Sequence, residues 1–204
     1  MSSAASDVYK RQFLGGVTSV VYDTKKRTLV SHRLALAGTA HNCAGGATPW
    51  GTWLSCEEWI DVDDTSTQRD HGWVFEVPAK ANGECSMPEP LRALGRFRHE
   101  AVAVDASSGV LYLTEDEHDG LLYRFVPEVK GDLSAGKLQA LAIQKAPSSD
   151  LRNWDQDSPG PFPVTGDTLP VEWVDLLDIH APRGDLRIRG HEIHGAARFA
   201  RGEG

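Results

Sequence analysis

The chain is built from short segments in which apolar and polar residues alternate, and each segment ends at a turn. The stretch "GVTSVVYD" alternates until "TKKR", and "RTLVSHRLAL" resumes the pattern. "HGWVFEV" ends at Pro78, "GLLYRFV" ends at Pro127, and "EAVAVDASSGVLYLTED" is typical of two strands joined by a hairpin loop. A period of two residues indicates strands, and a helical period is nearly absent. The sequence therefore predicts an all-β protein.

A weak internal repeat narrows the architecture. The segments that begin at Gly72 ("GWVFEV") and at Gly120 ("GLLYRF") are 48 residues apart, since 120 − 72 = 48. Four-stranded propeller blades repeat at about 40–50 residues. A further echo relates "GRFRHEAVAV" to "ARFARGEG", with Glu100 and Glu203 following the shared Arg-Phe. These spacings predict a β-propeller, incomplete here, with room for about four blades at roughly 45 residues each.

A propeller has a chemical consequence for the repeated glutamates. The innermost strand of each blade lines the central channel, so equivalent residues converge there from distant parts of the chain. Crowded carboxylates repel one another unless a cation lies between them or some are protonated. The pattern thus favours a metal site.

Charge and length exclude some functions. The chain has 204 residues and a formal net charge of −8, which argues against nucleic acid or an anionic membrane as a main partner. No apolar run approaches the ~20 residues that span a bilayer. The acidic balance suits bound cations, although solubility alone also explains it.

Both ends and one internal region stand apart from the repeat. Residues 1–12 resemble a translated sequencing adapter, so we expect a non-native leader there and a partial propeller domain over 13–204. The abrupt end at "AARFARGEG" suggests a fragment. The region around 130–190 is rich in Pro, Gly, Asp and Ser and predicts a long loop or an insertion between blades. Within it, "VEWVDLLDIHAP" fits a strand or a short helix.

The most unusual stretch is "HNCAGGATPWGTWLSCEEW". Its Gly-Gly pair permits close backbone approach, and a thiolate at Cys43 would suit a transition metal. A glycine-rich turn with a buried thiol is the structural alternative. Of the pair Glu57 and Glu58, one is expected to face the channel and the other to go to solvent or to an arginine, because neighbouring strand residues point to opposite faces. The three cysteines allow at most one disulfide.

Two further groups are candidates. Glu100 lies where a polar stretch becomes a strand, so it needs a partner, either Arg96, Arg98 or a cation. Arg201 and Glu203 stand two apart and would face the same side of a strand, which is an arrangement that suits phosphate. An ordinary salt bridge is the alternative.

In this order, the motifs "NCAGGATPWGTWLSCEE", "HGWVFEV", "GRFRHEAVAVD", "GVLYLTEDEHDGLLYRF" and "RFARGEG" resemble the PhoX-type alkaline phosphatase family. The resemblance implies a six-bladed β-propeller that hydrolyses phosphate monoesters at a cluster of ferric iron and calcium ions. It implies that Cys43 is an iron ligand and that Arg201 contacts the substrate phosphate. It also implies metal-bridging glutamates at Glu58, Glu100 and Glu203, with a further calcium ligand near Glu115 and Asp116.

The resemblance further implies small phosphate esters as partners, a monomer, and a periplasmic or secreted location for the parent protein. The chain is far shorter than a complete six-bladed member, so this fragment alone is expected to be inactive. Two other functions stay open at this point. One is a non-catalytic propeller that binds metal for stability, and the other is a calcium-dependent, lactonase-like propeller, which needs no thiolate.

Overall fold

The computed structural model describes residues 14–60, 70–152, 163 and 166–204. It contains the strands β1 (Gly15–Asp23), β2 (Thr28–Thr39), β3 (Asn42–Ala47), β4 (Thr52–Glu57), β5 (Val74–Pro78), β6 (His99–Val104), β7 (Leu111–Glu115), β8 (Gly120–Leu121), β9 (Tyr123–Val129), β10 (Asp132–Ile143), β11 (Val171–Asp175) and β12 (Arg198–Phe199). A 3-10 turn covers Arg92–Leu94, and helix α1 covers Leu186–Glu192. The predicted all-β class is confirmed.

Eight of these strands form one curled sheet in the order β11-β10-β9-β7-β6-β3-β4-β5. All neighbours in it are antiparallel except β3 and β6, which meet in parallel where Gly45 pairs with Ala101. The sheet is therefore two antiparallel units, β3-β4-β5 and β6-β7-β9-β10-β11, joined through their first strands. Two blades of a propeller meet side by side in this way, with their innermost strands running in parallel.

The internal repeat matches this order. The copy at Gly72 leads into β5, the third strand of its unit, and the copy at Gly120 leads through β8 into β9, the third strand of the other. The echo at "RFARGEG" contains β12, which pairs with β8. The repeat thus marks equivalent strands of successive units.

The Gly-Gly pair allows β3 to approach both of its neighbours. A Cβ added at Gly46 would lie 1.9 Å from the carbonyl oxygen of Val102 on β6, and one added at Gly45 would lie 1.8 Å from that of Leu54 on β4. Gly45 also has a φ of +74°, a conformation that favours glycine. A larger residue at Gly46 would push the two first strands apart.

The main hydrophobic core lies within and behind the second unit. It includes the fully buried side chains of Leu111, Leu113, Tyr123 and Phe125. A smaller cluster packs β2 against β5 through Leu36, Trp73 and Phe75. The core explains the alternation of β7 and the start of β9, where buried and more exposed side chains alternate. In β4, by contrast, Leu54–Glu57 are all buried.

Two local predictions need correction, and one open alternative is resolved. Pro127 does not end its strand, because β9 continues to Val129 and Pro127 lies opposite Gly136 at a register shift. In the predicted loop around 130–190, the described residues include β10, β11 and α1. Within "VEWVDLLDIHAP", the first five residues form β11, so a strand was the correct alternative.

The leader predicted for residues 1–12 and the centre of the predicted insertion lie outside the described residues. Among the helices that are described, none is long and apolar enough to cross a membrane.

Candidate metal centre

Three side chains from two neighbouring units meet at the junction of β3 and β6. Potential ligand atoms of Cys43, Glu58 and Glu100 all lie within 4.8 Å of one another. The Sγ atom of Cys43 is 3.1 Å from both carboxylate oxygens of Glu100. We call these three residues the Cys-Glu-Glu cluster. It joins residues that are as far apart in sequence as 43 and 100.

The strand pairing explains how the cluster forms. Cys43 lies on β3 opposite Cys56 on β4, and Asn42 lies opposite Glu57. Glu58 follows β4 directly, and its amide donates a hydrogen bond of 3.0 Å to the carbonyl oxygen of His41. The β3–β4 hairpin therefore returns the chain to the level of Cys43, and the parallel contact with β6 brings in Glu100.

Burial and neighbouring carboxylates raise the pKa values of two side chains in the cluster. Burial, the hydrogen bond to Glu100, and the charges of Glu100 and Glu58 raise the pKa of Cys43 to about 11. Burial also raises the pKa of Glu100, with further contributions from the charges of Glu58 and Glu203. A multivalent cation would reverse this, because it favours the ionised thiolate and carboxylates.

The two arginines considered as partners for Glu100 bond to other groups. Arg96 is buried and donates to the carbonyl oxygens of His71 and Ala181. Arg98 forms an ion pair of 2.8 Å with Glu117. These bonds favour the cation among the partners predicted for Glu100.

The C-terminal segment "RFARGEG", which resembles "GRFRHEAVAV" in sequence, also lies beside the Cys-Glu-Glu cluster. A Cβ added at Gly204 would lie 3.0 Å from the Cβ of Ala101 and 3.7 Å from that of Ala44. The residues that follow Cys43, Glu100 and Glu203 are therefore neighbours. The Glu203 side chain itself is exposed and lies outside the Cys-Glu-Glu cluster, although its charge contributes to the raised pKa of Glu100.

Arg201 is held by Asp116 on the rim of this site. Its Nε and Nη2 atoms donate to the two carboxylate oxygens of Asp116, the second at 2.7 Å. The ion pair raises the pKa of Arg201, and the charges of Glu203 and Glu58 add to the effect. The structure thus places Asp116, a predicted calcium ligand, against the predicted phosphate-binding arginine.

Glu115, the other residue suggested for calcium, is 1% exposed and lies outside the Cys-Glu-Glu cluster. Its Oε2 atom accepts hydrogen bonds from the hydroxyl of Tyr123 at 2.7 Å and from the amide of Leu121 at 3.3 Å. Its Oε1 atom is buried without a hydrogen-bond partner among the described residues. Burial is the main reason that its pKa is raised to about 7.

Glu57 is the residue that the sequence placed wrongly. One glutamate of the pair was expected in solvent or beside an arginine, and with Glu58 in the cluster that would be Glu57, but Glu57 is fully buried. Its carboxylate accepts bonds from His71 and from three backbone amides. No signal in the sequence shows this burial, but the structure has a parallel, because Glu57 ends β4 as the buried Glu115 ends β7 in the next unit.

All three cysteines are free thiols. Cys43 is half-buried, Cys56 is buried opposite it, and Cys85 is exposed. The roles predicted for Cys43, Glu58, Glu100, Glu203, Glu115, Asp116 and Arg201 remain predictions, but Cys43, Glu58 and Glu100 now form a candidate metal-binding group.

A comparison with protein-family models agrees with the resemblance. A family model described as "Alkaline phosphatase PhoX" matches residues 19–204. Curated proteins give no match. Among solved structures, the chain is similar to Pseudomonas fluorescens PhoX in complex with vanadate, a transition state analogue, with 23% identity and a TM-score of 0.42. That match covers 66% of this chain and 33% of the Pseudomonas protein. Because the family match spans nearly all of the described residues, the chain belongs to the PhoX alkaline phosphatase family.

Proposed function

We propose that the chain provides part of the active centre of a metal-dependent phosphomonoester hydrolase that uses iron and calcium. The observation that carries the proposal is the Cys-Glu-Glu cluster, with its ligand atoms within 4.8 Å of one another. The family match supports the reaction class. Since the chain covers 33% of the matched Pseudomonas structure, the proposed activity is that of the parent protein.

The donor atoms fit the proposed metals. The thiolate of Cys43 suits a transition metal such as ferric iron, and the carboxylates of Glu58 and Glu100 suit calcium as well. When bound, such ions polarise a phosphate ester and neutralise the charge that develops in the reaction. A centre that used calcium alone would gain little from a thiol 3.1 Å from a carboxylate, so the cluster favours the phosphatase over the lactonase-like alternative.

Arg201 is the residue that we expect to bind the substrate phosphate. Asp116 takes two of the five N–H donors of its guanidinium and fixes the plane of the group. The remaining donors match the geometry of phosphate oxygens. Its task would be to orient the phosphate over the Cys-Glu-Glu cluster.

The test is phosphate release from p-nitrophenyl phosphate after reconstitution with iron and calcium. It uses the 204-residue chain and the longest natural polypeptide that contains it. Elemental analysis of the purified proteins gives the metal content. Cys43→Ser is expected to lose iron and activity together, whereas the control Cys85→Ser, which alters an exposed thiol, keeps both. Iron-free protein, or iron-loaded parent protein that releases no phosphate, would overturn the proposal.

A further inference from the structure

A buried carboxylate adjoins the Cys-Glu-Glu cluster without belonging to it. Glu57 is 0% exposed. Its Oε1 atom lies 2.8 Å from both the amide nitrogen of Ala40 and Nδ1 of His71. Its Oε2 atom accepts from the amides of Gly72 at 2.8 Å and Trp73 at 3.2 Å. Both oxygens of this carboxylate accept from N–H donors, so its position is fixed by bonds on both sides.

One of the donors, Ala40, belongs to a segment that carries the cluster, and the other three lie just before β5. Ala40 lies three residues before Cys43, in the turn from β2 to β3. Glu57 itself directly precedes Glu58. Its bond to Ala40 therefore ties the segment that leads to Cys43 to the segment that ends in Glu58. The bond from the Glu58 amide to the carbonyl oxygen of His41 runs between the same two segments.

The same arrangement recurs in the next unit. Glu115 ends β7 as Glu57 ends β4, and its carboxylate also accepts an amide hydrogen bond from the start of the following strand, at Leu121. The backbone carbonyl of Glu115 accepts from the amide of Gly202, and that of Glu117 accepts from Arg201. In both units, a buried glutamate at the end of the second strand adjoins residues of the candidate site.

We propose that Glu57 is a positioning residue for the metal centre: its buried carboxylate fixes the distance between the segments of Cys43 and Glu58. The inference rests on the proposed metal site and assigns Glu57 no contact with the metal or the substrate. Groups that orient metal ligands typically change metal affinity by about 10–100-fold when they are removed. We expect a loss in that range for Glu57.

The test is a cobalt(II) titration of the 204-residue chain, followed by the absorption band that a cobalt–thiolate bond produces. In Glu57→Gln the amide group cannot accept all four hydrogen bonds, so cobalt affinity should fall about 10–100-fold. Glu57→Asp keeps the carboxylate but shortens the side chain, so it should lose less cobalt affinity than Glu57→Gln. The control is Glu76→Gln, because Glu76 accepts two side-chain bonds from Trp50 and Thr52 within the same unit but lies outside the cluster. It should bind cobalt as the unchanged protein does.

Circular dichroism and denaturant unfolding establish that each variant is folded under the titration conditions. A folded Glu57→Gln protein with unchanged cobalt affinity would overturn the inference. The same conclusion follows if Glu76→Gln loses as much affinity as Glu57→Gln, since the effect would then be general destabilisation. A chain with no cobalt–thiolate band would also overturn it, since there would be no centre to position.

A second measurement needs no variant, in case Glu57→Gln does not fold. Coupling between two sites is reciprocal, so if Glu57 positions the ligands, cobalt binding must stabilise the bonds of Glu57 in return. Hydrogen exchange of the Ala40 and Gly72 amides should slow when cobalt is added. Slower exchange only at the cluster residues, with these two amides unaffected, would contradict the inference. No step here measures phosphate release. If the chain passes these tests while the iron-loaded parent protein releases no phosphate, the proposed function is overturned and the role of Glu57 stands.

Discussion

Replacement of Glu115 by glutamine should change how the stability of the metal-free protein depends on pH. In the folded protein, burial raises the pKa of Glu115 to about 7 from an ordinary value of 4.5. The folded state therefore binds more protons than the unfolded state between these two pH values. The free energy of unfolding falls as pH rises through this window, because ionisation of the buried group becomes a cost to the folded state.

The magnitude follows from the width of the window. Two and a half pH units at about 1.4 kcal/mol each give a total of about 3–4 kcal/mol, of which the part that falls between pH 4.5 and pH 8 is about 3 kcal/mol. Glutamine has the same shape and does not ionise, and its carbonyl oxygen can still accept the bonds from Tyr123 and Leu121. Between pH 4.5 and pH 8, the free energy of unfolding of the unchanged protein should therefore fall by about 3 kcal/mol relative to that of Glu115→Gln.

The difference between the two proteins is the quantity to measure. Burial lowers the pKa of His99 to about 3, so His99 destabilises the folded state as pH falls below its ordinary value of 6.5. In the unchanged protein, the opposite slopes of Glu115 and His99 offset each other between about pH 4.5 and 6.5. His99 is present in both proteins, so subtraction removes its contribution.

The assay is urea unfolding with a chelator present, at half-unit steps from pH 4.5 to pH 8. A difference that does not change with pH would refute the reasoning, since Glu115 would then titrate as an ordinary carboxylate. Repetition with excess calcium tests the prediction that Glu115 is a calcium ligand. A calcium-bound carboxylate would stay ionised, and the destabilisation at high pH would disappear.

Three further changes test the site and the junction between the units. Glu100→Gln removes a crowded charge, so it should stabilise the metal-free chain by on the order of 1 kcal/mol, which urea unfolding measures. The same change should weaken cobalt binding, which a cobalt titration measures. Asp116→Asn should free the guanidinium of Arg201 and lower kcat/KM of the reconstituted parent protein about tenfold, with the metal content unchanged. If the variant loses metal instead, Asp116 is a metal ligand. Gly46→Ala should cost about 1–3 kcal/mol or more by forcing β3 from β6. The control Gly51→Ala, where φ is +84° but space is open, should cost only about 1–2 kcal/mol.

Patterns that are local along the chain were sufficient to predict the class of fold. Alternation gave the strands, and the spacing of 48 residues between Gly72 and Gly120 marked equivalent third strands in two units. The motif resemblance identified the family, which the family match confirms. Helix α1 was missed because a helix of seven residues spans barely two turns and leaves little periodic signal.

Side-chain partners were harder to predict, since they depend on distances between segments. Nothing in "CEEW" distinguishes Glu57 from Glu58, yet one is buried among four donors and the other joins Cys43 and Glu100. Asp116 and Glu115 are neighbours in an acidic run, but one holds Arg201 and the other accepts from Tyr123. Alternation along a strand means that adjacent side chains point to opposite faces, but it does not determine which of the two faces is buried.

The sequence by itself determined an all-β chain of repeated units, and it supplied the thiol and carboxylates for a cation site. Only the tertiary structure decided which acidic side chains meet. The parallel contact of β3 and β6 brings residues 43 and 100 together, and burial then determines which carboxyl groups remain available to a metal. Propensity and alternation act over a few residues, whereas ligation and burial depend on how distant segments pack.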